Sequence, residues 1–146
     1  MLQRKVRIMK PFSILLPLLL SVSPAGTVPL AVHVTGIDSP RGSLMLALFD
    51  SPDAFDAGAD PVRRASLPVA EGSVTWVVKD LPEGDYALKA YHDRDDSGAL
   101  ERNGFGAPKE PYGFSNDARG RFGPPSWEKA RFRVTAPETT IRLRLK

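Results

Sequence analysis

The stretch LPEGDYALKAY, Leu81 to Tyr91, decides the fold. Its second half alternates. Tyr86, Leu88 and Ala90 project to one side and Ala87, Lys89 and Tyr91 to the other, the two-residue period of a strand. Its first half sets Leu, Pro and Gly ahead of the tyrosine that opens this strand. In sandwich folds a tyrosine at such a corner bonds back to upstream backbone and pins the passage between sheets. A plain Pro-Gly hairpin fits the same residues, because VTWVVK (Val74–Lys79) comes directly before.

The same period recurs on both sides. PLAVHVTG sets Leu30, Val32 and Val34 against Ala31, His33 and Thr35, and VTWVVK groups Val74, Trp76 and Val78. Leu44 to Phe49 is a continuous apolar run, as expected of a strand covered on both faces. A weaker strand covers Ala65–Val69. Near the end, ARFRVTA and TTIRLRLK place Phe132, Val134, Ile141, Leu143 and Leu145 inward with arginines alternating outward. SPDAFDAG reads as one helical turn capped by Ser51 or Asp53, or as a loop with Phe55 tucked in. Six or seven short strands punctuated by Pro, Gly, Asp and Ser predict an all-β fold. The expectation is a single antiparallel β-sandwich, immunoglobulin-like or transthyretin-like, of about seven strands with one long ordered loop.

MLQRKVRIMK carries Arg4, Lys5, Arg7 and Lys10 and no acid; an uncharged apolar stretch follows, then small residues at Ser23 and Ala25. This is the pattern of a secretory signal, with cleavage expected after Ala25. A spanning helix wants about 20 apolar residues, and Pro17, Pro24 and Pro29 interrupt this one. Residues 26–146 then form one domain, periplasmic or secreted. The chain has 20 basic and 17 acidic side chains, and removing the four basic ones of the signal leaves a near-neutral protein. Its basic balance therefore carries no nucleic-acid signal. With no cysteine, an exported chain of this size must be held by its core or by a bound ion.

Between the strand ending near His92 and the one starting near Ala130 no strand or helix period appears. Structureless loops beyond about 15 residues are uncommon in compact domains. Phe105, Tyr112, Phe114, Phe122 and Trp127 argue for order here rather than a solvated chain. HDRDDSG, GFGAPKEPYGFSND and GPPSWEKA, after LPEGDYALKAY, resemble the uncharacterised bacterial secreted family known as domain of unknown function 2141. The resemblance covers nearly all of residues 26–146, and the Gly113–Phe114–Ser115–Asn116 string is its most specific part. It implies a small exported domain and no established activity.

The loop YHDRDDSGALERNG (residues 91–104) concentrates carboxylates around a glycine. Set on a calcium-loop template, Asp93, Asp95, Ser97, Ala99 through its carbonyl and Glu101 fall at ligand positions, with Gly98 at the sharp turn. The closing bidentate glutamate is missing, since Gly104 stands there; Glu101, Glu110 or Asp117 would have to supply it. Arg94 and Arg102 weaken such a site. The competing reading makes Asp95, Asp96 and Ser97 into Asx turns with the arginines as partners. Calcium is the one cofactor suggested; two histidines without cysteine give zinc little to bind with.

Catalytic readings have less behind them. Ser115 or Ser126 with His92 lacks any nucleophile motif, and Asp93, Asp95 and Glu101 crowd one turn rather than dividing into acid and base. A small periplasmic hydrolase built on the carboxylate and histidine loop is the alternative function. The favoured one is a non-catalytic binding or structural module of the cell envelope. Tyr112, Phe114, Asn116 and Trp127 are its candidate ligand or loop surface, and Gly113 would help to orient that loop. The expected partner is a small ligand, a glycan or an envelope protein. The competing view is that most of these aromatics form the loop's own small core.

Overall fold

The computed structural model describes residues 26–70 and 72–146. The expected signal segment, residues 1–25, lies outside them. Among the described residues, eight strands make two sheets: β1 (Thr27–Thr35), β2 (Ser43–Phe49), β3 (Arg63–Pro68), β4 (Ser73–Pro82), β5 (Gly84–Asp93), β6 (Tyr112–Phe114), β7 (Phe132–Val134) and β8 (Thr139–Arg144). The smaller sheet runs β4-β1-β8 and the larger β3-β2-β5-β6, with β7 pairing the start of β5. This is the all-β sandwich that the alternation predicts.

Its core is built from the inward halves of the strand patterns. Leu30, Val32 and Val34 of β1 meet Leu44, Leu46 and Leu48 of β2 and Leu88 and Ala90 of β5, all buried. The alternation works because side chains of period two send every second residue to one face. Burying a Leu or Val side chain fully contributes roughly 1.5–3 kcal/mol, so each of these Leu and Val positions adds substantially to the drive to fold.

Between the two sheets, the chain crosses at Leu81–Tyr86. β4 belongs to the small sheet and β5 to the large one, with Glu83 alone between them. Tyr86 donates its phenol hydrogen to the Pro82 carbonyl at 2.8 Å, closing the corner. The corner, not a hairpin, is what these residues form.

Two features go beyond the period. β1 and β8 pair in parallel, Val32 opposite Ile141, while the other strand pairs described are antiparallel. Alternation fixes which face a residue takes but not the direction of its neighbour. The long loop also contains regular structure: β6, a 3-10 turn at Ser115–Asp117 and the short helix α2 (Trp127–Ala130). Segments of three or four residues are too short to display a period.

SPDAFDAG does form a helix, α1 (Pro52–Ala57), with the Ser51 hydroxyl accepting from the Ala54 N–H and Gly58 closing it in the left-handed region. Phe55 packs edge-on against Phe49 and Trp127, with centroids 5.7 and 5.9 Å apart. Together with Ala87 and Ala130 they make a second small core. Phe49 and Ala87 are register partners on the outer side of the large sheet. The helices thus cover one end of that outer face.

Candidate functional site

β5 delivers the carboxylate loop. Its last residue, Asp93, is buried, and one carboxylate oxygen accepts the Ser97 N–H at 3.0 Å while the other takes the Gly98 N–H at 2.7 Å. Gly98 makes the turn at φ +79, where a side chain would be strained. Asp95 also accepts from Ser97 N–H, at 3.2 Å. Glu110 returns from the far end of the loop. It is buried, accepting the Arg94 N–H at 2.9 Å and the Glu101 N–H at 3.4 Å. Oxygen atoms of Asp93, Asp95 and Glu110 lie within 4.8 Å of one another.

Of the residues that fit the calcium template, Asp93 and Asp95 are brought together, with Ser97 beside them. The Ser97 hydroxyl donates to the Ala99 carbonyl at 3.0 Å and lies 3.4 Å from an Asp93 oxygen. Glu101 is exposed and turns its backbone N–H toward Glu110. Asp117 is occupied elsewhere, accepting the Arg144 N–H at 2.8 Å. Glu110 is the third carboxylate.

Neither arginine neutralises this group. Arg94 pairs with Asp38, and Arg102 donates to the Gly106 carbonyl at 2.9 Å. Among the described residues no Lys, Arg or His forms an ion pair with Asp93, Asp95 or Glu110. The carboxyl of Asp95 is held below its ordinary value, first by a hydrogen bond with the Asp93 carboxyl and then by the Ser97 N–H. Burial, then the charges of Asp93 and Glu110, push the Tyr91 phenol up.

His92 is fully buried with its Nε2 2.6 Å from the Arg41 carbonyl and its Nδ1 3.4 Å from Asp38. The Nδ1 contact lacks hydrogen-bond geometry. Ser115 is equally buried: its hydroxyl donates to the Ala130 carbonyl at 2.5 Å and accepts the Leu88 N–H at 2.9 Å. No triad geometry joins His92 to Ser115, because each is turned to different backbone.

The Gly113–Asn116 string is a knot of internal bonds. A side chain at Gly113 would come 3.0 Å from the Arg144 carbonyl, and Asn116, in the left-handed region, donates to the Lys129 and Arg131 carbonyls at 3.2 and 2.7 Å. Tyr112 and Lys146 exchange backbone bonds of 3.1 and 3.0 Å, so β6 stitches the end of the chain to the large sheet. Trp127 is buried in the second core. Phe114 is half-buried on its margin, and Tyr112 packs edge-on to it at 6.0 Å.

Tyr112 and Phe114 also face outward into a groove of about 480 Å³ over the open part of the large sheet's outer face. That volume falls within the range of about 300–1,000 Å³ usual for small-molecule sites. Met45, Ala47 and Tyr91 floor it, and Leu100 and Arg102 of the carboxylate loop wall it. The sequence gives Lys89 and Tyr91 a common face, but it cannot align them with Ala47 and Arg64 on other strands. That register belongs to the folded sheet alone.

A family model described as "Uncharacterized protein conserved in bacteria (DUF2141)" matches residues 32–142. No curated protein and no solved structure matches the chain.

Proposed function

This chain belongs to the DUF2141 family, and we propose that it is an exported, non-catalytic binding module of the cell envelope, periplasmic or secreted. Its ligand occupies the groove over the outer face of the large sheet. The observation that carries this reading is the groove itself: α1 and α2 cover one end of that face, and the groove beside them is left open among apolar and aromatic side chains. The groups that a hydrolase would use support the same reading, since Ser115 and His92 are committed to backbone partners.

A calcium ion at Asp93, Asp95 and Glu110 completes the proposal. Three carboxylates, two of them buried and none ion-paired among the described residues, favour a hard divalent cation with oxygen ligands. The ion has a structural task. Leu100 and Arg102 lie between Asp95 and Glu110 in the chain, so clamping those two carboxylates fixes the wall of the groove.

A neutral apolar fluorophore tests the binding reading. N-phenylnaphthylamine is expected to bind saturably with a rise in emission, and Ala47→Trp, which fills the floor, is expected to abolish the rise. Absence of binding, or binding indifferent to Ala47→Trp, would overturn the assignment of the groove.

A further inference from the structure

The open face carries an ordered row of side chains. Arg64, Ala47, Lys89 and Phe114 are successive register partners across β3, β2, β5 and β6, and partners in antiparallel register share a face. With strands about 4.8 Å apart, the two cationic residues stand on backbones roughly 10 Å apart, with only a methyl group between them. The next row, Ser66, Met45, Tyr91 and Tyr112, is uncharged.

No Asp or Glu is found among the described residues that line the groove. Lys89 is its most constrained cation. Its ammonium lies 4.5 Å from the Phe55 ring centroid and 5.2 Å from that of Phe49, and it donates to the Phe55 carbonyl. Among the described residues no carboxylate lies within ion-pair distance of it. Burial lowers its pKa, with Asp56 opposing the effect, so its charged form is short of solvation that an anion would restore.

Past Tyr112 and Pro124 the groove runs into a second hollow of about 400 Å³. Phe105 and Phe122 both line it, and they are 98% and 96% exposed. Two rings so bare on the same hollow mark an apolar contact surface.

We infer that the groove takes a linear apolar chain ending in a carboxylate. The head group sits over Ala47 between Arg64 and Lys89, and the tail runs across Met45 and Tyr91 toward the hollow between Phe105 and Phe122. Two cationic donors match the two oxygens of a carboxylate. The inference rests on the groove reading above and adds the chemistry of its ligand.

Displacement of N-phenylnaphthylamine by dodecanoate and by dodecanol tests it, since the two share a tail and differ in the head. Dodecanoate is expected to compete at least about tenfold better, the margin of one charge-assisted contact. Lys89→Met and Arg64→Gln are each expected to remove most of that preference, read as the ratio of dodecanoate to dodecanol competition so that any change in fluorophore affinity cancels. Arg64 is exposed on an outer strand, so its variant keeps the test open if Lys89→Met fails to fold. Equal competition by both compounds, or a preference that survives Arg64→Gln, would overturn the carboxylate seat. If the unmodified protein does not bind the fluorophore, the groove reading itself fails. Binding without preference sinks only the ligand's identity.

Discussion

Ser115→Ala is expected to lower the unfolding free energy by about 2–4 kcal/mol, the cost of leaving two buried backbone groups without partners. The two groups are the Leu88 N–H and the Ala130 carbonyl, which the one hydroxyl now serves from a fully buried position. Leu88 lies in the middle of β5 and Ala130 ends α2, so the hydroxyl joins the large sheet to the loop that covers it. Urea unfolding followed by circular dichroism measures the change, with an unaltered slope if the denatured state is the same. A serine serving a ligand instead of the fold would cost little stability on removal. A loss below about 0.5 kcal/mol, typical of a surface change, would therefore contradict the role assigned here.

The second large effect concerns the carboxylates. Extracellular calcium modules bind with dissociation constants of about 0.1–1 mM. At about 10 mM calcium the linkage gain is then roughly 1.4–2.7 kcal/mol. For a protein of this size that corresponds to a rise in thermal midpoint of roughly 5–10 °C relative to EDTA. Asp93→Asn and Glu110→Gln are each expected to abolish the difference between calcium and EDTA, whatever they do to the baseline. Tyr91 gives an optical readout of the same event. The charges of Asp93 and Glu110 help to hold its phenol above the ordinary value. A bound cation offsets them, favours the phenolate and moves the titration to lower pH. Identical midpoints and an unmoved Tyr91 titration would leave the three carboxylates as acceptors for loop N–H groups and nothing more.

Much of the fold is legible in the chain because strand alternation and turn chemistry are local. Leu30, Val32 and Val34 declare their face by position alone, and Leu81–Tyr86 declares a tight turn through Pro82 and Gly84, which the Tyr86 hydroxyl bond to Pro82 resolves as a corner rather than a hairpin. Pairing is not local. The parallel approach of β8 to β1, and the alignment of Arg64, Ala47 and Lys89, depend on how distant strands meet.

The candidate site divides in the same way. Asp93, Asp95 and Gly98 can be read from spacing, and Glu110 is one of three acids within reach, but only the fold selects it over Glu101 and Asp117. The aromatics illustrate a different limit. Trp127 enters a core, Tyr112 and Phe114 stand on its margin beside the groove, and Phe105 and Phe122 remain in solvent. Composition says that such rings need neighbours without saying which neighbours they find.

The most direct test of the outer face as the binding site is an amide chemical-shift map of the protein titrated with N-phenylnaphthylamine. Shifts are expected to concentrate at Met45, Ala47, Tyr91, Leu100 and Tyr112. The outer face of the small sheet, where His33 and Thr75 are hydrogen-bonded at 2.8 Å, should stay unperturbed. Shifts centred on that second face, or none in the groove at saturation, would contradict the account.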